Sequence, residues 1–578
     1  MTLRTRPSNA AHIGVYLGAA LVLAVNLALT AVAASAAPGS YVVNSTLDQD
    51  STTYRANCSA GTGICTLRAA LTQADSDGIA STVNFNISGA GPHTINIAST
   101  LDTMNEGETT INGYSQQGAS ANTDGQASNA KIQVQIQGPG VVNGGVRGLV
   151  ILSPRNTIRG LAIYNMWQDV HIGSDDATGN VIAGNFIGTN AAATFGAGGI
   201  NNSTFGIVLR SGSDNNVIGG PSPADRNVIS GLAGRGVLIG IPGTSALDTG
   251  TDANVVQNNI LGLTPDGLAR RPNFGHAIDL NNGVQSNRVV GNVVSGNSAE
   301  GIEISHAQST RGNEVVGNKV GTNLAGTAGP AYTRNGSNGI QVEDGADLTV
   351  VTDNVVGNNG DNGIQIGSLS NSATGTKVQR NRIGISLSGA PIGNVNAGIR
   401  IGPGVGSSPN QAAGLDTVIG TDNIIAFNGS GIRLEGQLSL RNTITRNSIF
   451  ENAGLGIDIL PTGEVNQNDA GDGDSGPNTL LNWPELQSAT TNSVSGRACA
   501  GCVVEVFLAD KDATLDPSQQ TSYGEGQTYV ATATADGNGA FTATLPSTAE
   551  GRIVTATATD GTGNTSEFSR NLAVPSSK

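Results

Sequence analysis

The chain has 578 residues, 29 Lys and Arg against 44 Asp and Glu, and a net charge of −15 at pH 7; only 13% of residues are charged and 3% aromatic, yet 82 are Gly. The acid excess excludes a nucleic-acid partner, which demands a basic face, and a low charge content at ordinary hydrophobicity excludes a disordered chain. Abundant Gly, Asn, Thr and Val suit many short strands joined by tight turns.

Taken in chain order, the first segment is a targeting signal. Arg4 and Arg6 precede an apolar run from Ile13 to Ala33, which ends in Ala34-Ser35-Ala36. Basic start, apolar run and small-x-small exit form a signal peptide over residues 1–36. The run is also long enough for an uncleaved anchor; Asn26 and the small-residue exit favour cleavage. The expected location is extracellular or at the cell surface, with no transmembrane segment after cleavage. An exported chain makes local disulfides the favoured reading of the close pairs Cys58/Cys65 and Cys499/Cys502.

Residues 37–150 read as an N-terminal cap and first coils. Leu67, Leu71 and Ala74 fall at helical spacing in "CTLRAALTQAD" (65–75), and a short amphipathic helix there would cover an open strand edge. "STVNFNIS" and "HTINIASTL" are the first short strands.

Residues 151–462 carry the strongest signal, a repeat. One unit is Gly-apolar-x-apolar: "FGIVLRS" (205–211), "EGIEISH" (300–306), "NGIQVED" (338–344) and "SGIRLEG" (430–436) are examples. A second is Asn followed by two mostly apolar residues, as in Asn259-Ile260-Leu261, Asn292-Val293-Val294 and Asn354-Val355-Val356. Period-2 alternation places Ile302 and Ile304 on one face and Glu303 on the other. One such coil cannot bury its apolar side, but stacked coils can. The expected fold is all-β: a right-handed parallel β-helix of about ten coils, with a helical N-terminal cap and a small C-terminal β-sandwich. Helical repeats fail because the apolar runs are too short and Gly recurs in every unit. The recurrent Asn residues read as left-handed turn positions whose amides stack into a hydrogen-bonded ladder.

Here a resemblance becomes specific. "CTLRAAL" resembles the Cys-Ser-Leu-Arg-Glu-Ala segment that names a family of secreted bacterial β-helix proteins, the CSLREA type. "INGYSQQGASANT" (111–123), "NTIRGLAI" (156–163) and "NVIAGNFIGTN" (180–190) resemble that family's following coils. Ala69 stands where the motif carries Glu. The resemblance implies architecture and export; it lends no single activity.

Residues 463–486 form an acidic Gly-rich bridge. Asp469, Asp472 and Asp474 have the spacing of an oxygen-rich calcium loop, without the downstream Glu of an EF-hand; a solvated linker is the alternative. Residues 487–578 read as an all-β module, resembling an immunoglobulin-like sandwich, with strands in "CVVEVFLA", "TYVATATA", "AFTATL" and "RIVTATATD". It reads as a spacer or adhesive unit.

Chemistry belongs in the outward column of the Gly-type strands: His171, Val208, Leu238, Asp279, Glu303, Gln341, Gln365, Arg400, Arg433 and Asp458. Asp279 and Glu303 fall on neighbouring coils, about 4.8 Å apart, where mutual repulsion can split their pKa values into an acid/base or acid/nucleophile pair. Ordinary solvated surface is the competing reading. Gln341, Gln365, Arg400 and Arg433 are candidate sugar-binding residues. Arg400 is placed three coils from Asp279, about 14 Å on the same spacing, too far for one compact site. Trp167 and Trp483 offer sugar platforms or buried caps. His276 and His306 add little. The leading expectation is a monomeric, non-catalytic surface protein contacting polysaccharide or another cell-surface component. A calcium-assisted polysaccharide lyase or a glycoside hydrolase is the alternative. Fold alone does not decide between them.

Overall fold

The structure is a computed structural model, and it describes residues 39–577 apart from 141–144, 195–202, 243–246, 249, 308, 328, 330, 368–370, 404–413 and 516–517. The proposed signal peptide lies outside the described residues. Pro38–Lys578 forms one compact unit.

Successive coils contribute one strand each to three parallel sheets. Among the described residues the sheets hold 13, 12 and 11 strands. Sheet 1 runs from Gly39–Val43 to Thr443–Ile444, sheet 2 from His93–Asn96 to Ser448–Phe450, and sheet 3 from Arg147–Ile151 to Ile457–Ile459. The chain is therefore a parallel β-helix, with more coils than the ten legible in the repeat. The added coils lack the Gly and Asn markers, yet two of their strands, Ser81–Phe85 and His93–Asn96, lie in the segments read as the first short strands.

Inward side chains stack into aliphatic ladders. Ile278, Ile302, Ile340, Ile364, Ile399, Ile432 and Ile457 align strand by strand and are buried. They belong to one continuous core that reaches from Tyr41 to Phe568. The Gly of each sheet 3 motif has a steric cause. A Cβ on Gly301 would lie 2.6 Å from the carbonyl oxygen of Gly339, and one on Gly339 would lie 2.7 Å from that of Gly363. The next coil leaves little room at this position, although Asp169 and Ala277 occupy it on two coils.

The asparagine ladders form, with one correction. Asn259 donates its backbone N–H and its amide N–H to Oδ1 of Asn292, at 2.9 and 3.0 Å, and Asn292 does the same to Asn318. These Asn residues are buried. The left-handed residue is the one before each: Asn258, Gly291 and Gly317 have φ of 57°, 64° and 66°. The turn thus frees the ladder Asn to be extended, with its amide turned inward where only another amide can satisfy it.

Two helices cap the first coil. α1 (Thr52–Ala60) was not legible, whereas α2 (Leu67–Asp77) matches the helical spacing. Leu67, Ala69, Ala70, Leu71 and Ala74 are buried against the coil. Thr66 caps α2 by accepting the Ala69 N–H; a Glu in place of Ala69 would complete a capping box. Arg68 pairs with Asp48 at 2.9 Å and donates to the Ser99 and Thr100 carbonyls. The Cys58–Cys65 disulfide joins α1 to the start of α2.

The C-terminal module has antiparallel sheets of three and four strands around its own core. It also packs against the β-helix. Phe507 and Phe568 enter the solenoid core, and four buried carboxylates meet the final coil. Glu505 accepts the Arg446 N–H, Asp510 the Glu451 N–H, Glu525 the Asn452 N–H and Glu567 the Ile459 N–H, at 3.0, 3.2, 3.0 and 2.9 Å. The module closes the end of the coil stack.

Candidate functional site

Strand register confirms the outward column of sheet 3. Val150, His171, Val208, Leu238, Asp279, Glu303, Gln341, Gln365, Arg400, Arg433 and Asp458 are consecutive partners. Arg400 stands four strands from Asp279, not three, about 19 Å along the column. Solvation is the larger difference: Asp279 is 0% exposed, Glu303 5%, Gln365 4% and Asp458 1%.

The carboxylate pair has three further members, Arg235, His276 and Glu300, of which the sequence reading weighed only His276 and gave it little part. His276, in the turn before the strand Ile278–Asn281, lies between two acids. Its Nδ1 is 2.9 Å from Glu300 Oε2 and its Nε2 is 2.9 Å from Glu303 Oε2. Arg235 Nε sits 2.5 Å from Asp279 Oδ2. These are ion-pair contacts; His276 Nδ1, Arg235 Nε, Asp279 Oδ2 and Glu303 Oε2 have no aligned hydrogen bond. Asn281 donates to Asp279 Oδ1 at 3.1 Å, and Ser337 donates to Glu300 at 2.6 Å. The missed signal is the acidic residue that precedes the Gly: Glu300 lies one coil along from His276.

The charges set one another. Burial pulls the His276 imidazole down, but Glu300 and Glu303 outweigh it and raise it to about 10. Burial and then the Glu303 charge push Asp279 above the usual carboxylate range. Burial also pushes Glu303 up, yet its contact with protonated His276 wins and holds it below its ordinary value. Two neighbouring carboxyls are thus driven apart, one towards the neutral acid and one towards the anion.

The proposed sugar-binding residues each have a protein partner. Gln341 accepts from Asn338 at 2.6 Å. Gln365 accepts from Asn362 and from Arg400 and donates to the Gly402 carbonyl at 2.9 Å. Arg400 pairs with Glu435, and Arg433 with Asp458 at 3.3 Å.

In the bridge, Asp469, Asp472 and Asp474 do converge, with carboxylate oxygens all within 4.8 Å of one another. Such hard oxygen donors fit calcium. Asp469 also accepts the Gly473 N–H and Asp472 the Asn482 N–H, at 3.0 and 2.9 Å. Beside them is a cleft of about 530 Å³, lined in part by Asn482, Trp483, Glu485 and Arg497. Trp483 is largely buried; it donates to the Asn466 carbonyl at 2.8 Å and meets Tyr523 edge-on. The Cys499–Cys502 disulfide precedes the strand Val503–Ala509. Among the described residues, no helix is long and apolar enough to cross a membrane.

No family model matches the chain, and no curated protein does. Among solved structures, it is similar to ORF18 of Geobacillus virus E2, at 10% identity over 86% of this chain and 69% of that one, with a TM-score of 0.31. It is also similar to the enzymatically active domain of tailspike protein 2 from bacteriophage CBA120, at 11% identity over 87% and 73%, with a TM-score of 0.27. Likeness at this level carries no inference about chemistry.

Proposed function

We propose that the protein is an exported, non-catalytic β-helix of the cell surface that contacts polysaccharide. One observation carries the non-catalytic reading. The acids of the sheet 3 column, where a β-helix would hold its reacting groups, are buried and each faces a cation: Asp279 faces Arg235, Glu303 (with Glu300) faces His276, and Asp458 faces Arg433, while Arg400 is paired with Glu435. Buried ion pairs of this kind position strands; they offer a substrate neither entry nor a free charge. Export rests on the signal-like N-terminus and on two disulfides, which persist in oxidising compartments. The CSLREA-type and immunoglobulin-like resemblances, and calcium at Asp469, Asp472 and Asp474, belong to the same proposal.

A second reading has one observation in its favour. The split between Asp279, pushed up, and Glu303, held down, is the pattern of a carboxylate acid/base pair, as a glycoside hydrolase or lyase would use. The mature protein, incubated with a polysaccharide panel with and without calcium, separates the two. Depletion of protein without new reducing or unsaturated ends is the expected result. New ends that disappear in Asp279→Asn or Glu303→Gln would overturn the non-catalytic reading.

A further inference from the structure

The bridge and the C-terminal module enclose a cleft whose walls are set before anything enters it. Two asparagines lock the bridge to itself. Asn468 accepts the Trp483 N–H and donates to the Trp483 carbonyl, at 3.0 and 2.9 Å. Asn482 likewise accepts the Asp469 N–H and donates to the Asp469 carbonyl, both at 3.0 Å. The bridge is in turn fixed to the module: Leu481 is buried with Cys502 and Ala558, and Trp483 meets Tyr523 edge-on with ring centroids 5.7 Å apart. The cleft has a volume of about 530 Å³, within the range of sites that hold small ligands. Because internal hydrogen bonds shape it, a ligand has no loop to order on binding.

The same bonds consume both amides and leave charged groups facing the opening. Glu485 and Arg497 line the cleft and are exposed. They are register partners on the antiparallel strands Glu485–Thr490 and Ser493–Arg497, so their side chains share a face. Yet no ion pair joins them. Arg497 donates to the Asn538 carbonyl at 2.7 Å, which leaves the rest of its fork unengaged. The Glu485 carboxylate has no partner among the described residues. On the β-helix the comparable register partners Arg288 and Glu314 do close, at 2.8 Å. Asp469 and Asp472 add two more acids to the lining.

We propose that this cleft is where the protein holds polysaccharide, and that the unit bound there is an uncharged sugar. Sugar hydroxyls donate to the Glu485 carboxylate and accept from the Arg497 guanidinium, both charge-assisted contacts, while Trp483 supplies an apolar wall. Three acids against one base in the lining repel a polyanion, as does the net charge of −15. This inference rests on the polysaccharide reading and names its ligand class. It also moves the contact away from the sheet 3 column, whose groups are partnered, to the junction with the module.

The chain has two tryptophans, so Trp167→Phe leaves Trp483, in the cleft wall, as the only indole reporter. The full mature chain with that change is titrated with neutral oligomers of glucan, mannan, galactan and xylan, and with polygalacturonate, in EDTA and in calcium. At least one neutral oligomer should shift Trp483 emission saturably in EDTA, and bind more tightly than polygalacturonate. Glu485→Gln and Arg497→Gln should each weaken it about tenfold, the loss of one charge-assisted contact, with Arg288→Gln unchanged. Unaltered melting curves would show that the variants fold. Tighter binding of polygalacturonate, lost in the same variants, would overturn the uncharged ligand. Binding that calorimetry detects but that leaves Trp483 emission and both variants unaffected would overturn the cleft and leave polysaccharide contact standing. Binding that needs calcium and ignores both variants would do the same, assigning the contact to the ion. Failure of every oligomer to bind would sink both.

Discussion

His276 shows how a single turn residue decides the character of a buried cluster. Raised to about 10 by Glu300 and Glu303, it is an imidazolium at neutral pH, whereas His171 is neutral down to about pH 4. Imidazole NMR shifts should show one histidine charged and one uncharged at pH 7. Because the folded value of His276 lies above its unfolded one, its contribution is full below about pH 6.5 and is lost as pH rises towards 10. Removing it leaves two acids buried without a cation, so His276→Ala should cost about 3 kcal/mol of stability, read from denaturant unfolding. Sequence placed Asp279 and Glu303 side by side because strand alternation fixes which residues face outward. It named His276 but judged that it adds little, and it missed Glu300, because both lie in turns, where no periodicity operates; it missed the burial because a pattern of strands does not say what covers them.

At the scale of elements, the final coil and the C-terminal module share a carboxylate seam. Burial, outweighing the N–H groups donated to them, pushes Glu525 and Glu567 each up to about 8. A carboxyl raised on folding favours the folded state at low pH and loses that advantage as pH climbs from its unfolded value towards 8. The melting temperature should therefore fall by several degrees between pH 5 and pH 8.5, and Glu525→Gln with Glu567→Gln should flatten that profile. A flat profile in the parent chain would count against the seam. Four of the seven strands described in this module were legible from alternation; Glu485–Thr490, Ser493–Arg497 and Leu572–Ala573 were not. Its docking was not, because Glu505, Glu525 and Glu567 look like ordinary outward acids until the coil end is set against them.

Across the whole molecule, both ends of the β-helix are closed, by α1 and α2 at the first coil and by the antiparallel module at the last. An open parallel edge is a template for another chain. A chain truncated after residue 462 should therefore self-associate, seen by light scattering as species larger than the intact protein at equal concentration. A well-behaved monomer would mean that the module is an appendage. The coil stack itself was readable because Gly-apolar-x-apolar recurs where close approach of the next turn favours Gly, with Asp169 and Ala277 the exceptions. The count of about ten coils fell short because the first coils, though read as such over residues 37–150, keep the geometry without those markers.

The asparagine ladders also give the molecule an electrical direction. Every amide in the run Asn273, Asn297, Asn335, Asn359, Asn394, Asn428 and Asn452 points its N–H towards the later coil. The dipoles add, as peptide dipoles do along an α-helix, and leave a positive pole at the C-terminal end. There Glu525 takes both N–H groups of Asn452 with its two oxygens, at 2.8 and 3.0 Å. The two ends of the ladder are thus unlike poles, and the Glu525 carboxyl, raised to about 8, becomes an anion facing the positive one only as pH climbs past that value.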